Sequence, residues 1–250
     1  MKKITVLAAL LASALMSAQP APGSFEQSWK PGPDWLKNGV IYQVYPSSYK
    51  DSDGNGIGDI RGVISKLDYI ESLGVRAIWF NPLFESGWID GGYDIIDFYK
   101  VDPRFGTNND LVELVEKAHA KGIKVMLDLV AGHTSDKHPW FVQSSQDTNL
   151  QYSDYYIWSD RLPDKKAEAD LQRMLQDPNY MQNTIGKWML SKYPRNKYYC
   201  KNFYACQPSL NYGYANPDPD HPWEQGVNEP GPKAIFRGAP FRHQHVIRIV

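Results

Sequence analysis

The sequence predicts an α/β fold in which short parallel strands alternate with helices. Three apolar runs rich in β-branched and aromatic side chains are typical of buried strands, and they lie at 39–46, 75–82 and 123–130. Apolar residues at helical spacing occupy the chain between consecutive runs. Because strands and helices alternate, the strands are expected to be parallel and joined by right-handed crossovers.

The two helices between these strands have recognisable start and stop signals. Apolar residues recur at helical spacing in 60–73, and Gly74 is expected to end that helix. Thr107 and Asp110 resemble a capping box that begins the second helix, which is expected to end at Gly122. The loops that follow the strands are longer and more polar than those that precede them. Functional residues are therefore expected at the C-terminal ends of the strands.

The regular alternation ends after the third strand. Residues 135–222 are dense in Tyr, Trp, Asp, Asn and Pro, which predicts an irregular subdomain inserted at this point. Helical patterns at 165–176 and 184–193 predict one or two short helices within it.

The composition is that of a globular domain. The 250 residues carry a formal net charge of -1 and are 42% hydrophobic. A near-neutral chain gives no reason to invoke nucleic acid or an anionic membrane as a partner. The eight Trp and sixteen Tyr fit either a well-filled core or the binding of sugar rings.

The N-terminus has the layout of a secretory signal peptide at 1–18. Two lysines precede a short apolar run and small residues follow, with cleavage expected after Ala18 or Ala14. The mature protein is therefore expected to be secreted or periplasmic, and no later stretch is long and apolar enough to be a membrane helix. In an oxidising compartment Cys200 and Cys206 either pair across a small loop or remain thiols, and the sequence leaves both open.

The segment DSDGNGIGD at 51–59 matches the first nine positions of a looped calcium site. Its glycines allow the chain to fold tightly around one centre. The departure from an EF-hand is Gly62, which stands where a bidentate Glu is expected. The alternative is a glycine- and aspartate-rich turn without a metal. Calcium is preferred to magnesium because it suits a flexible set of oxygen ligands, here the side chains of Asp51, Asp53, Asn55 and Asp59 and the backbone carbonyl of Ile57.

The loops after the second and third strands contain further candidate residues. Asp90, Tyr93 and Asp94 follow the second strand, whereas Asp128 lies near the end of the third strand and His133 just past it. Loops from adjacent parallel strands open at the same end of a sheet, so these side chains are expected to share one cleft. Carboxylates and aromatic rings commonly bind sugar hydroxyls and ring faces, although a lone Asp or His is more often structural.

The segment from Trp35 to Trp223 resembles the catalytic barrel of the α-amylase family of glycoside hydrolases, close to its α-glucosidase and oligo-1,6-glucosidase branch. The matching motifs stand in the family's order and are WLKNGVIYQVYPSSYKDSDGNGIGDIRGVISKLDYIESLGVRAIWFNP, GGYDIIDFYKVDPRFGT, VMLDLVAGHTSDKHPWF, DYYIW and QPSLNYGY. The resemblance implies a (β/α)8 TIM barrel with a subdomain B after the third strand. It also implies structural calcium in the 51–59 loop and an α-glucan or α-glucoside as the partner.

The resemblance further implies roles for individual residues. The positions that bind the sugar to be cleaved correspond to Asp90, Tyr93 and His133. Asp128 falls on the family's structural aspartate beside that subsite. Gly132 stands where the family usually has Asn, which predicts a looser loop around His133. Ser209 replaces a common Asp, so substrate preference does not follow from that motif.

The implied activity is retaining hydrolysis of α-glucosidic bonds in starch- or malto-oligosaccharide-type substrates. It uses a carboxylate nucleophile and a carboxylic acid/base roughly 5 Å apart. In the family the nucleophile Asp follows the fourth strand in a GFRxD-like motif, and the acid/base Glu follows the fifth strand. Neither motif occurs here, so no catalytic residue is expected to be present. We therefore expect an incomplete barrel and a truncated, inactive form of a longer enzyme.

Two other functions remain open on the sequence. One is a non-catalytic, barrel-like protein that binds a glycan or another partner, and the other is a transglycosylase or isomerase on the same scaffold. The expected layout is a signal peptide at 1–18, an N-terminal linker at 19–38, the first three barrel strands (domain A) at 39–134, subdomain B at 135–222 and an aberrant or truncated tail at 223–250.

Overall fold

A computed structural model describes residues 32–195 and 198–211 of the chain. The chain divides into two compact units, 1–37 and 38–250, and helix α1 (Asp34–Lys37) is the described part of the first. The predicted signal peptide and the predicted tail lie outside the described residues, as does the end of subdomain B.

The described part of the second unit contains strands and short helices, numbered here along the chain. The strands are β1 (Ile41–Val44), β2 (Ala77–Phe80), β3 (Phe84–Ser86), β4 (Ile95–Val101), β5 (Lys124–Leu127), β6 (Trp158–Ser159), β7 (Trp188–Leu190) and β8 (Tyr198–Cys200). The α-helices are α2 (Ile60–Ile64), α3 (Leu67–Ser72), α4 (Asn108–Ala120), α5 (Pro139–Ser144) and α6 (Lys165–Leu175). Two 3-10 turns occupy Pro46–Ser48 and Tyr180–Gln182.

The strands β1, β2 and β5 form a parallel sheet in that order, as the alternation of strands and helices predicts. Ile41, Ala77 and Lys124 lie side by side at the start of the three strands. Because the strands run in the same direction, the loops that follow them leave the sheet at one end. This end positions the candidate functional residues.

The sheet is an incomplete barrel. It has three strands where a closed TIM barrel has eight. On the outer strands Ile41 is 38% and Met126 37% exposed, whereas Ile78 and Phe80 in the central strand are fully buried. Neither β1 nor β5 has a second strand neighbour in the ranges that the structure describes. The outer strands therefore present the edges and apolar side chains that further barrel strands cover in a closed fold.

The first crossover contains two helices, so the prediction of one continuous helix over 60–73 is wrong. Asp59 caps α2, accepting a hydrogen bond from the Gly62 N–H at 2.6 Å. The Ser65 hydroxyl donates to the Gly62 carbonyl at 2.6 Å, a local bond of the kind that competes with helical hydrogen bonding. The chain turns at Lys66 and continues as α3, and Gly74 follows it with a φ of 73°.

The second crossover confirms its predicted signals. Thr107 and Asp110 form a capping box at the start of α4, in which each side chain accepts from the other residue's backbone N–H. Gly122 follows the helix with a φ of 72°. Buried side chains of α4, including Leu111 and Leu114, belong to the same hydrophobic core as those of α2 and β2.

The long loop after β2 contains an antiparallel ribbon that the sequence did not predict. Its strands, β3 and β4, pair Ser86 with Ile95 and Phe84 with Val101, with two shifts of register between them. The ribbon brings the connecting segment 87–94, which contains the three candidate residues Asp90, Tyr93 and Asp94, back towards the end of the parallel sheet.

Subdomain B is built on a second, antiparallel sheet in the order β6–β8–β7. The predicted helix at 165–176 is confirmed as α6, which Asp164 caps. The helix predicted at 184–193 is wrong, since the segment contains strand β7. Gly186 has a φ of 65°, which interrupts a helix, and β7 gains ladder hydrogen bonds with β8 that an isolated apolar segment lacks. No disulfide joins Cys200 to Cys206.

Candidate active site

A hydrogen bond between two side chains joins the loops at the end of the sheet. Asp128 directly follows β5, and its N–H donates to the Phe80 carbonyl at 3.1 Å, so the residue continues the parallel ladder. Tyr93 lies in the segment between β3 and β4, just after Gly91 and Gly92, which have positive φ values of 55° and 108°. The Tyr93 hydroxyl donates to Asp128 Oδ2 at 2.8 Å. The predicted meeting of these two loops is thus present.

Two further side chains extend this contact towards β1. Asn81 Nδ2 donates to the Tyr93 hydroxyl at 3.2 Å, and Asn81 Oδ1 accepts from Gln43 Nε2 at 3.1 Å. Burial, and secondarily the hydrogen bond to Asp128, raises the pKa of the Tyr93 phenol, so the neutral donor persists at physiological pH. Asn81 was not among the predicted residues, although it directly follows β2, the position where functional residues are expected.

Asp90 is bound both by its own loop and by a residue of subdomain B. Its backbone carbonyl accepts from the Tyr93 N–H at 2.9 Å, and its Oδ2 accepts from Gln207 Nε2 at 2.7 Å. Gln207 is fully buried, and its Oε1 accepts from the Tyr204 N–H at 2.9 Å. Gln207 belongs to the QPSLN motif, but its contact with a residue 117 positions away has no signal in the sequence.

Asp94 organises the turn on which Asp90 and Tyr93 lie. It is fully buried, and its two carboxylate oxygens accept from the Ile89 N–H at 3.2 Å and the Asp90 N–H at 3.1 Å. Burial raises the pKa of this carboxyl, while the backbone N–H donors oppose that effect. Asp94 therefore acts on the site through the backbone of Asp90.

His133 contacts Tyr93 as well, and both nitrogens of its ring have a protein partner. It is 3% exposed, its Nε2 lies 3.1 Å from the Tyr93 carbonyl, and its Nδ1 lies 3.0 Å from Asn202 Nδ2. Burial lowers the pKa of this imidazole, so the ring is neutral at physiological pH. A sugar hydroxyl that binds a ring nitrogen has to replace one of these two hydrogen bonds.

Backbone contacts hold the loop around His133 on both sides of the histidine. The Gly132 carbonyl accepts from the Leu210 N–H at 3.1 Å, and the Ser135 N–H donates to the Ile95 carbonyl at 2.8 Å. His133 also forms a β-bridge with Ser209. The loop is thus joined by backbone contacts to the 208–210 segment, and the looser loop expected from glycine at 132 stays a prediction.

The 51–59 loop brings its acidic side chains together. One carboxylate oxygen from each of Asp51, Asp53 and Asp59 lies within 4.8 Å of the others. Asp51 is surrounded by donors, since its oxygens accept from the N–H groups of Gly54 at 2.7 Å and Gly56 at 2.8 Å. These N–H groups, with Gly56 as the larger contributor, lower the pKa of Asp51.

The donor set of this loop fits a hard divalent cation. Three carboxylates at such short separation repel one another unless a cation neutralises them. Asn55 Oδ1 accepts from the Ile57 N–H at 2.8 Å, so the loop already has the side-chain-to-backbone bonds that close a tight turn. Asp59 also has a structural role, because its Oδ2 accepts from Ser52 while its Oδ1 caps α2.

Comparison with known proteins identifies the family of this fold and site. The sequence profile of the alpha-amylase family, described as alpha amylase, catalytic domain, matches residues 43–223. This chain belongs to the α-amylase family. Within the described residues of this α-amylase-family chain, no helix is long and apolar enough to cross a membrane.

The curated relatives of this α-amylase-family chain include oligo-1,6-glucosidase of Heyndrickxia coagulans, 42% identical over 180 residues, which are 72% of this chain and 31% of that protein. The trehalose synthase/amylase TreS of Mycobacterium tuberculosis strain H37Rv is also 42% identical, over 72% of this chain and 28% of that protein. The chain spans a third or less of the length of these relatives.

Solved structures give the same result. Isomaltulose synthase from Klebsiella sp. LX3 has a TM-score of 0.66 and 36% sequence identity, covering 83% of this α-amylase-family chain and 34% of that chain. Trehalose-6-phosphate hydrolase of Bacillus licheniformis has a TM-score of 0.61 and 39% identity, covering 71% of this chain and 30% of that chain. These relatives confirm the predicted family and the TIM-barrel class.

Proposed function

We propose that this chain contributes the first part of the catalytic domain of an enzyme that acts on α-glucosidic bonds, with Asp90, Tyr93 and His133 binding the sugar. The observation that supports this most is the hydrogen-bonded group of Asp90, Tyr93, Asp128 and His133 at the end of a parallel sheet in an α-amylase-family chain. A fixed carboxylate and a fixed phenol beside it suit recognition of sugar hydroxyls. Starch- or malto-oligosaccharide-type compounds are the proposed substrates.

The proposed chemistry is retaining hydrolysis, with the reacting carboxylates supplied by later strands of a complete barrel. The sequence contains neither the GFRxD-like motif nor the acid/base motif that the family uses. We therefore propose that the 250-residue chain alone does not hydrolyse glucosides, because two facing carboxylates are needed for that reaction. Release of p-nitrophenol from p-nitrophenyl α-glucoside by the purified chain would contradict this part of the proposal.

A chimera tests the binding role directly. Residues 43–223 of this chain would replace the corresponding segment of the oligo-1,6-glucosidase of Heyndrickxia coagulans, which supplies the remaining strands. The chimera is expected to cleave p-nitrophenyl α-glucoside, and Asp90→Asn in it is expected to lower kcat/KM at least about tenfold, the value of one lost charge-assisted hydrogen bond. Glu116→Gln, on the exposed face of α4, is the matched control and should have no effect. A folded chimera without activity, or one insensitive to Asp90→Asn, would refute the assignment.

Transfer of a glucosyl group is the second candidate activity. It is favoured by the similarity to isomaltulose synthase, whose name describes the formation of a sugar and not its hydrolysis. The two reactions differ in whether water or a sugar hydroxyl reaches the intermediate. Product analysis of the chimera incubated with sucrose distinguishes them: free glucose and fructose alone indicate hydrolysis, and a new disaccharide indicates transfer.

Calcium is the proposed structural ion of the 51–59 loop, bound by the side chains of Asp51, Asp53, Asn55 and Asp59 and by the carbonyl of Ile57. The ion would neutralise the converging carboxylates and hold the loop that caps α2. Free calcium at about 100 times its Kd stabilises a protein by about 2.7 kcal/mol, so EDTA is expected to lower Tm by about 5–10 °C. Asp53→Asn should abolish this difference and Glu116→Gln should retain it. An unchanged Tm on chelation would refute the calcium proposal.

Export is proposed from the signal-like segment at 1–18. The basic start and the short apolar run support it. Expression of the full sequence in a bacterial host, followed by N-terminal mass determination of the periplasmic fraction, is expected to give a chain beginning after Ala14 or Ala18. A chain that stays in the cytoplasm with residues 1–18 attached would contradict the proposal.

A further inference from the structure

We propose that Asn202 is a positioning residue for His133, and that it can take this role because residue 132 is glycine. The inference deepens the proposed function, on which it rests, since His133 belongs to the residues assigned to the sugar site. It assigns a role to a residue of subdomain B that lies 69 positions away from its partner along the chain.

The hydrogen bonds determine the protonation state of the ring. The Tyr93 carbonyl 3.1 Å from Nε2 can only accept, so Nε2 carries the proton. In the neutral ring Nδ1 is then an acceptor, and the Asn202 amide must present its N–H group across the 3.0 Å separation. Asn202 and the Tyr93 carbonyl therefore select one tautomer and one ring orientation. The face-to-edge contact with Phe203, at 5.9 Å and 81°, restrains the ring plane further.

Glycine at 132 provides the space for this contact. A Cβ at position 132 would lie 2.9 Å from Asn202 Nδ2, closer than such atoms pack without a shift. A side chain at 132 would therefore displace the Asn202 amide, whose Nδ2 is the atom that contacts His133. Glycine at 132 thus leaves the Asn202 amide in its position beside His133.

The segment that presents Asn202 is itself anchored. The Asn202 N–H donates to the Gln207 carbonyl at 2.9 Å, which closes the 201–207 loop. Lys201 is 1% exposed, and its Nζ donates to the carbonyls of Phe203 at 2.8 Å and Asn183 at 3.2 Å. Since Gln207 also binds Asp90, this one loop positions two of the proposed sugar-binding residues.

The test is a direct measurement of the His133 ring in the 250-residue chain. Imidazole nitrogen NMR shifts of ¹⁵N-histidine-labelled protein report the tautomer and the pKa, and the signal missing from His133→Gln identifies His133 among the six histidines. The native ring is expected to show a protonated Nε2 and a bare Nδ1. The charged group that acts on this ring is Asp94, which stays unchanged in every variant.

Asn202→Asp is expected to place a carboxylate beside Nδ1 in place of the amide N–H donor. Because a carboxylate can only accept a hydrogen bond, the variant favours a proton on Nδ1 and thus the doubly protonated ring. The pKa of His133 should rise by about 1 unit or more, the size of shift that a nearby opposite charge produces. Gln172→Glu, which adds a charge on the exposed face of α6, is the matched control and should leave the ring unchanged. An unchanged tautomer and pKa in Asn202→Asp would overturn the proposal.

A double-mutant cycle tests the coupling to position 132. Gly132→Ala should alter the nitrogen shifts of His133 in the native background and have no further effect when Asn202→Ala is already present. Equal effects of Gly132→Ala in both backgrounds would overturn the claim that a side chain at 132 acts on His133 through Asn202. These measurements do not require activity, so an inactive chimera would count against the proposed function alone, and unchanged ring shifts would count against Asn202 alone.

Discussion

Replacing His138 with Asn should remove a large part of the acid sensitivity of this chain. His138 lies at the N-terminus of α5 and is 5% exposed. Its Nδ1 accepts from the Trp140 N–H at 3.1 Å, and its ring packs against the Trp140 ring at 4.6 Å. Protonation of Nδ1 converts this acceptor into a donor, so it removes the helix cap and places a charge in an apolar environment.

The size of the effect follows from the shift of one pKa. Burial lowers the pKa of His138 from 6.5 to about 4. The unfolded chain takes up the proton below pH 6.5, whereas the folded chain resists it until about pH 4, so stability is complete above 6.5 and falls as the pH decreases towards 4. At about 1.4 kcal/mol per unit, the loss across this window is about 3 kcal/mol.

Urea unfolding of the native chain and of His138→Asn at a series of pH values between 7 and 4 measures this loss. Asparagine keeps a capping oxygen and does not titrate, so the variant should lose about 3 kcal/mol less than the native chain. Gln172→Asn, at an exposed position of α6 that does not titrate, is the matched control and should follow the native profile closely. Identical pH profiles for the native chain and His138→Asn would refute the reasoning.

Two further substitutions test contacts described above. Tyr93→Phe removes the hydroxyl that joins Asn81 to Asp128, and it should cost about 1–2 kcal/mol of unfolding free energy, against about zero for the exposed control Tyr69→Phe. Combined with Asp128→Asn, it should show a coupling above about 0.5 kcal/mol in chemical unfolding, and additive effects would contradict the bond. Gly186→Ala should cost about 1–2 kcal/mol in the same assay, because the residue has a φ of 65° and its Cβ would lie 3.0 Å from Asp170 Cβ. An unchanged midpoint would show that the strand tolerates a side chain there.

Several features of the fold could be predicted because their signals are local. The apolar runs around β1, β2 and β5 and the capping box at Thr107 depend on residues within one element. The family resemblance rests on long motifs in a fixed order, and it also located the loops that contain Asp90 and Asp128. These signals have the same meaning whichever tertiary contacts form.

Other features depended on contacts between distant segments. The pattern at 184–193 is compatible with a helix, and it forms a strand because β8 pairs with it. The apolar spacing at 60–73 gives no sign of the turn at Ser65, whose hydroxyl bonds to the Gly62 carbonyl. The 201–207 loop has to fold against the end of the barrel sheet before two contacts can form. These are the contact of Gln207 with Asp90 and that of Asn202 with His133.

The sequence by itself determined the α/β class and the parallel strands, since periodicity, caps and glycine stops act over a few residues. Its long motifs also located the residues of the proposed sugar site. Only the tertiary structure decided which atoms of those residues remain available to a ligand. The physical reason is that a buried polar atom must find a partner, and the identity of that partner depends on which segment packs over it.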